Sequence, residues 1–356
     1  MSAEVSDRLN ALLLDHQAVA IVCKQALESV EGPAGVIFPP SYPGKTSDDG
    51  PTYNISTFGD GRNVCTIDSV QSQANRIETA FLQAPYRALV RAVSVKAQLA
   101  DGEVKEIDVL QAPHRLADAT LRFSDLRETA EEAFKAFRSA PSGIAKLSPM
   151  SLLLGAWDSR GTQSKIPRAF TSRIDAYNVH QLQRHALYSA ALTSKEIGHE
   201  DSSSTLSKVG LDSAPSGPSP AGVVADGGVR RDSVLNLIAL RQNCQTDLAD
   251  QAPDALSAYI FGLGLVALTL QPEAFLRQGC LLVGAGPVEA VVRARDGSQT
   301  VFALTADEAL AYAQAAAERF GVADLEPITA QFQPELIAEK ETKGKAKKGA
   351  KEPAGA

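Results

Sequence analysis

The 356-residue sequence has little of what builds disulfide frameworks and metal sites, with four cysteines and five histidines. The cysteines lie far apart with no Cys-x-x-Cys pair, which argues against a zinc ribbon and a secreted disulfide scaffold. No two histidines have the spacing of a His-Glu-x-x-His site. The N-terminus has no basic segment followed by an apolar run, so we expect no signal peptide and a cytoplasmic protein.

An excess of basic charge is missing, and so are long hydrophobic runs. Lysine plus arginine total 35 against 42 aspartate plus glutamate, which excludes a uniformly basic nucleic-acid-binding coat but allows a local basic groove. The uncharged run 255–272 has an apolar centre, 258–268, that is too short to span a bilayer. It predicts a buried core helix that Asp254 caps, with Gly262 and Gly264 allowing close packing, and no membrane partner.

The nucleotide-binding and catalytic motifs are incomplete. Gly44-Lys45-Thr46 resembles the end of a P-loop, but Pro39 stands where a glycine is required. Gly284 and Gly286 begin a dinucleotide fingerprint in which Glu289 replaces the third small residue. No serine lies in a Gly-x-Ser-x-Gly motif. We therefore expect no catalysis, no cofactor and no metal.

The hydrophobic pattern predicts alternating strands and helices. A strand is predicted over 18–30, a helix with an apolar stripe of helical period over 68–82, and a hairpin over 93–110. A second helix is predicted over 128–138. A strand between 165 and 192 would complete the βαββαβ order of a ferredoxin-like, RNA-recognition-motif domain. The sequence therefore favours an α+β fold.

Several helix and turn signals are specific enough to name residues. Asp68 is the predicted N-cap of the 68–82 helix. A second hairpin is predicted to turn at Asp296-Gly297. The helix after it is predicted to start at a capping box of Thr305 and Glu308 and to stop at Gly321.

Two segments have the composition of mobile chain. Serine, glycine and proline supply 15 of the 28 residues in 201–228. Such a segment has too few apolar groups to offset the entropy lost on ordering, so a flexible insertion is expected at about 200–228. Residues 338–356 are rich in lysine and are expected to form a disordered tail. The ordered domain is therefore expected to span 1–337.

Arginines and small polar residues are concentrated in three segments, 68–82, 160–184 and 229–232. The side chains in them that suit phosphate and sugar binding are Ser72, Asn75, Arg76, Arg168, Arg173, Arg230 and Arg231. Each segment alone is more typical of a solvated surface. The three together are as consistent with a local anion-binding channel as with such a surface, and the affinity of a channel for nucleic acid would depend on salt.

Several of these segments resemble a known family in matching order between Asp68 and Ser233. The matching segments are DSVQSQANRIE (68–78), HRL (114–116), SPMSLLLGAW (148–157), IPRAF (166–170), IDAYNV (174–179) and GVRRDS (228–233). They resemble the RAMP-superfamily backbone subunit of type I-G (formerly I-U) CRISPR Cascade. The resemblance extends the expectation of RNA binding to His114 and Arg115.

The resemblance implies a hand-like protein with a modified ferredoxin-like palm and large insertions, its RAMP-type RNA-binding backbone domain occupying 1–337. Copies would form a helical homo-oligomer along guide RNA, held by phosphate and ribose contacts, beside other Cascade subunits. Target DNA would then pair with the exposed guide bases in antiviral defence. Neither the 201–228 insertion nor the lysine-rich tail belongs to the resembling segments.

Two functions of different classes remain open from the sequence. The first is a non-catalytic guide-RNA backbone subunit. The alternative is a metal-independent guide-RNA-processing endonuclease of the same superfamily, which would need His114 or another base beside a ribose 2′-hydroxyl. The sequence places no partner acid or nucleophile near His114, which favours the first.

Overall fold

The structure is a computed structural model that describes residues 2–44, 50–198, 214–270 and 275–337. The strands are β1 (Ala18–Ser29), β2 (Ser41–Tyr42), β3 (Thr52–Tyr53), β4 (Ile55–Thr57), β5 (Asn63–Asp68), β6 (Val93–Gln98), β7 (Val104–Asp108), β8 (Ala156–Trp157), β9 (Lys165–Ile166), β10 (Phe170–Tyr177), β11 (Val179–Tyr188), β12 (Ala214–Ala225), β13 (Val229–Asn236), β14 (Phe275–Arg277), β15 (Cys280–Ala294), β16 (Gln299–Val301) and β17 (Ile328–Gln331). The α-helices are α1 (Ala3–Leu14), α2 (Val70–Ala80), α3 (Ala119–Arg122), α4 (Arg127–Ala136), α5 (Ser142–Leu147), α6 (Pro149–Leu154), α7 (Leu237–Cys244), α8 (Ala255–Thr269) and α9 (Ala306–Phe320). Lys45 and the 338–356 tail lie outside the described residues.

The central sheet has the strand order β14-β15-β1-β13-β10-β5-β4, with β16 beside β15 and every pair antiparallel. Its inner strands β1, β10, β13 and β15, counted first to fourth along the chain, are arranged 4-1-3-2. Helices connect the first strand to the second and the third to the fourth. This is the arrangement of a ferredoxin-like palm with insertions, and the α+β prediction is confirmed.

The assignment of strands to that palm differs from the prediction. The hairpin predicted over 93–110 forms as β6 and β7, but it pairs with β17 in a separate three-stranded sheet. The second and third strands of the palm are instead β10 and β13. An alternating pattern identifies a strand with one buried face, but it does not say which sheet the strand joins.

Helices cover one face of the central sheet and bury the larger core. Helix α8 is buried along almost its whole length and packs against α9. Gly262 allows this close approach, because a Cβ built there would lie 2.9 Å from the Ala313 Cα. The predicted cap is confirmed: the Asp254 carboxylate accepts a hydrogen bond from the Ser257 amide at 3.0 Å. Within the described ranges, no helix has the length and apolar character needed to cross a membrane.

The helix-start signal is correct at α9, as it is at α8, and is displaced by one residue at α2. Thr305 and Glu308 form the predicted capping box of α9, which ends at Gly321 with a φ of +80°. Helix α2 is capped by Ser69, whose side chain accepts a hydrogen bond from the Ser72 amide. Asp68 is not the cap, because its carboxylate points into the protein and is held by other side chains.

A two-stranded arm, β11 and β12, extends from the palm between β10 and β13. Its base is fixed in a second, smaller core by Val179, Val223 and Ala225. Residues 214–225 belong to the stretch whose composition predicts a flexible insertion, and they form a strand because their backbone pairs with β11. Prolines are tolerated in such a strand, since a two-stranded ribbon has a free edge. Residues 199–213 of the insertion lie outside the described residues.

Candidate nucleic-acid interface

The buried carboxylate of Asp68, at the end of β5, organises the helix that carries the first predicted contacts. It accepts hydrogen bonds from Ser72 Oγ at 2.8 Å and Gln73 Nε2 at 2.6 Å. Arg76 Nε donates to it at 3.0 Å and Arg277 Nη2 at 3.2 Å. Ser72 and Arg76 therefore fix α2 on the sheet. Arg76 also donates to the Leu276 carbonyl at 2.9 Å, so its guanidinium joins α2 to β14.

The N-terminal end of α2 meets two loops at Gln71. Its amide nitrogen donates to Asn75 Oδ1 and to the Pro113 carbonyl, each at 3.0 Å, and its amide oxygen accepts from Arg168 Nη2 at 3.1 Å. His114, next to Pro113, is exposed. We call Gln71, Asn75, His114 and Arg168 the Gln71 patch. It brings together three of the residues predicted from sequence.

The Gln71 patch has the properties of a phosphate-binding surface. Arg168 is exposed and, in the described part of the chain, its side chain hydrogen-bonds only the Gln71 amide and forms no ion pair. Its positive charge is therefore available to an approaching phosphate. The Gln71–Asn75 amide pair adds polar groups of the kind that contact ribose and phosphate.

Arg173 and Arg230 lie on the open face of the sheet in a different cluster. Arg173 Nε contacts Asp175 Oδ2 at 3.0 Å, and Arg230 Nε contacts Asp232 Oδ1 at 2.8 Å. Arg230 also donates to the Tyr177 hydroxyl at 2.9 Å and lies over its ring at 4.8 Å. We call these five residues the sheet-face cluster.

The sheet-face cluster is close to electroneutral, since two arginines face two aspartates. In the strand register, Arg173 is opposite Asp232 and Arg230 is opposite Asp175, an arrangement that stabilises the sheet itself. Burial raises the pKa of Asp175, and the attraction of Arg173 opposes this rise. A phosphate approaching either arginine competes with a carboxylate already in place. The Gln71 patch is therefore the stronger candidate for phosphate contacts.

Arg115 is buried, contrary to its predicted place in an RNA-binding surface. Its guanidinium donates to Glu78 Oε1 at 2.8 Å and Oε2 at 2.9 Å, and to the Gly155 carbonyl at 3.0 Å. Burial raises the pKa of Glu78 to about 7, because removing the carboxylate from water outweighs the attraction of Arg115. Through this bidentate pair and its bond to Gly155, Arg115 joins α2 to the chain just before β8. The geometry gives Arg115 a structural role and no route to an RNA phosphate.

Arg231 is also buried, with 8 % of its surface exposed. It neighbours Arg230 in sequence, but successive residues of a strand face opposite sides of the sheet, so Arg231 lies on the helix-covered face. Within the described part of the chain, its Nε has no hydrogen-bond partner. The pair predicted as one RNA-binding unit is thus divided between the two faces.

Sequence reasoning missed three residues that shape this region. Gln71 joins Arg168 to Asn75, Tyr177 supports Arg230, and Arg277 completes the partners of Asp68. Gln71 and Tyr177 lie inside the family-like segments, whereas Arg277 is distant in sequence and carries no local signal. Within the part of the chain that the structure describes, no three His, Cys, Asp or Glu side chains are grouped as metal ligands would be.

A comparison with known families bears on this surface. Residues 21–181 match the model of a family described as CRISPR-associated protein GSU0053. Over these residues the chain is similar to a CRISPR-associated family. It includes most of β1, all of α2 and β10, and every residue of the Gln71 patch, and it ends before β13 with Arg230 and Arg231. No curated protein matches the chain.

Proposed function

We propose that this protein is a non-catalytic backbone subunit of a CRISPR effector complex. In this role it binds guide RNA through phosphate and ribose, in the cytoplasm and beside other subunits of a RAMP-type Cascade of the I-G kind. The observation that carries the proposal is the Gln71 patch, which holds an arginine with no ion-pair partner in the described chain, inside the family-matched region.

The chemistry of the patch suits a protein that holds RNA without reading its sequence. A guanidinium and amides contact phosphate and sugar and leave the base edges free. In RNA-guided recognition the specificity comes from base pairing, so a backbone subunit has to present the guide rather than read it. Target DNA is therefore a partner through the guide.

The arm of β11 and β12 supports head-to-tail assembly. Beyond its buried base, residues 180–184 are exposed, and apolar side chains are exposed at Leu182 and Tyr188 on the arm and at Leu192 and Ile197 after β11. Such a projecting surface contacts a different surface on the next copy. Contacts of this kind generate an open helical filament when they do not close into a ring.

Arg168→Ala is expected to weaken binding of short, unrelated RNAs by about fivefold each, the effect of one exposed charge-assisted contact. The slope of log affinity against log salt should fall by about 0.7, because one fewer counterion is released from single-stranded RNA. Fluorescence anisotropy over a salt series measures both quantities.

Arg127→Ala is the matched control, because it removes the same charge from a pair with Glu131 on α4. It should leave affinity and slope unchanged. A change in preference among RNA sequences with an unchanged salt slope in Arg168→Ala would contradict phosphate-led binding at this patch.

Assembly is expected to depend on the length of the RNA. Guide RNA that touches adjacent copies raises their effective concentration, so the mass of the complex should rise in steps with RNA length. Size-exclusion chromatography with light scattering measures the mass, and a gel of the recovered RNA should show it intact. A single fixed dimer at every RNA length would reject the filament.

A further inference from the structure

A cavity of about 830 Å³ lies between the helix-covered face of the sheet and the C-terminal end of α8. Its floor is polar and its walls are apolar. The floor consists of Gln25, Gln73, Ser172, Arg231 and Ser233, and the walls include Leu268, Leu270 and Phe302. This volume is typical of sites for small organic ligands, which combine apolar walls with a few polar groups.

Among the residues that the structure describes, Arg231 is the only arginine or lysine that lines this cavity. It is more than nine-tenths buried, and its Nε has no hydrogen-bond partner among the described residues. Burying an unpaired guanidinium costs several kcal/mol, so native structures supply such a group with an anion or hydrogen-bond acceptors. The described chain supplies neither.

The nearest acid is already occupied. Asp68 lies in the same cross-strand row as Arg231, with Ile174 between them, and its carboxylate attracts Arg231 without a hydrogen bond. Both of its oxygens are engaged by Arg76 and Arg277. Three arginines therefore share one carboxylate, and the arginine of the three that makes no ion pair with it, Arg231, is the buried one.

The other lining residues do not supply the missing negative charge. Burial raises the pKa of the Cys23 thiol to about 11, so this neighbour is neutral. Glu289 borders the cavity, but it is exposed and lies opposite Lys24 in the strand register. Lys24 is next to Gln25, the residue opposite Arg231, so Lys24 and Glu289 belong to the other face of the sheet. Ser233 donates to Ser172 at 2.9 Å, and neither of these hydroxyls carries a charge.

We propose that this cavity binds a small organic anion, whose phosphate or carboxylate pairs with Arg231 and whose ring or apolar body lies between Leu268 and Phe302. The Gln25 carboxamide, which makes no hydrogen bond with the described chain, is placed beside Arg231 in the register to contact the same group. The site lies on the opposite face from the sheet-face cluster and is separate from the Gln71 patch.

The test uses the full-length protein and four probes at constant ionic strength: AMP, benzoate, inorganic phosphate and adenosine. AMP and benzoate carry a charge and a ring, phosphate lacks the ring, and adenosine lacks the charge. At least one of AMP and benzoate should raise the thermal unfolding midpoint more than phosphate does, and adenosine should leave it unchanged. If AMP gives the larger shift the site prefers a phosphate, and if benzoate does it prefers a carboxylate.

Variants assign the response to Arg231. Arg231→Met should lower the affinity for the responding probe by at least about tenfold, the loss expected for a charge-assisted contact. Arg231→Lys, a second variant that retains the charge without the guanidinium, should also bind more weakly. Arg173→Gln and Arg168→Ala should respond like the wild type, which separates this site from RNA binding.

A further measurement needs no ligand. In chloride buffer, Arg231→Met should unfold at a higher temperature than the wild type, because a buried unpaired charge is replaced by an apolar side chain. The inference is overturned if neither AMP nor benzoate shifts the wild-type midpoint. It is equally overturned if Arg231→Met, or Arg231→Lys where the methionine variant does not fold, retains the full response.

Discussion

Glu78→Leu is expected to lower the free energy of unfolding by about 3–5 kcal/mol, because it leaves the buried guanidinium of Arg115 without its counter-charge. The pair has ideal geometry for such an effect. Both carboxylate oxygens face the guanidinium at 2.8 and 2.9 Å, and the two side chains are 4 % and 1 % exposed. A leucine of similar volume fills the space but cannot accept a hydrogen bond.

Urea denaturation at pH 8 measures this effect, since the Glu78 carboxylate is ionised above its raised pKa of about 7. Arg127→Ala, which breaks the half-exposed pair with Glu131 on α4, is the control and should cost about 0.5 kcal/mol or less. The double change Glu78→Leu with Arg115→Met should recover most of the loss, because no uncompensated charge remains. A loss in Glu78→Leu no larger than that in the control would show that Arg115 is solvated.

Arg241→Ala is expected to destabilise the protein by about 3–5 kcal/mol, since hydrogen bonds from a charged group are worth roughly 1.5–3 kcal/mol each and do not add fully. The buried guanidinium, on α7, donates to the carbonyls of Leu12, Leu13, Asp15 and Ala18 at 2.7 to 3.1 Å. These oxygens include the last carbonyls of α1, which have no partner within the helix. Arg241 therefore fastens α1 to β1 and α7.

Denaturant unfolding together with hydrogen exchange measures this effect. The amides of α1 should lose protection more than those of α8. Arg241→Lys should recover only part of the stability, because a single ammonium cannot reach four acceptors arranged around a planar fork. Arg8→Ala is the control on α1 itself, where this exposed arginine donates to the Ala303 carbonyl. Equal losses in Arg241→Ala and Arg8→Ala would refute the capping role.

Local elements of the fold were predictable because their signals are local. The apolar run at 255–269 formed the predicted buried helix behind Asp254, and the box of Thr305 and Glu308 started α9 as expected. The turn at Asp296-Gly297 joins β15 to β16. The N-terminal helix α1 was missed, although Ser2 caps it through the Val5 amide.

The candidate site was predictable only in part. The sequence placed Asn75, His114 and Arg168 among the candidate contacts, and the structure brings them to one surface around Gln71. It also grouped Arg115 and Arg231 with them, and both are buried. The sequence around an arginine does not distinguish one that contacts a solvent-exposed phosphate from one that pairs with a buried glutamate.

The sequence by itself determined the α+β class and the approximate boundaries of the strongly patterned helices and hairpins, because these depend on residues close together in the chain. The match to a CRISPR-associated family also follows from the sequence alone. Only the tertiary structure decided which strands build the palm, since pairing β1 with β13 and β15 joins segments more than 200 residues apart. It also decided which arginines remain free. That depends on partners such as Glu78 and Asp68, which the fold brings together and which no local spacing reveals.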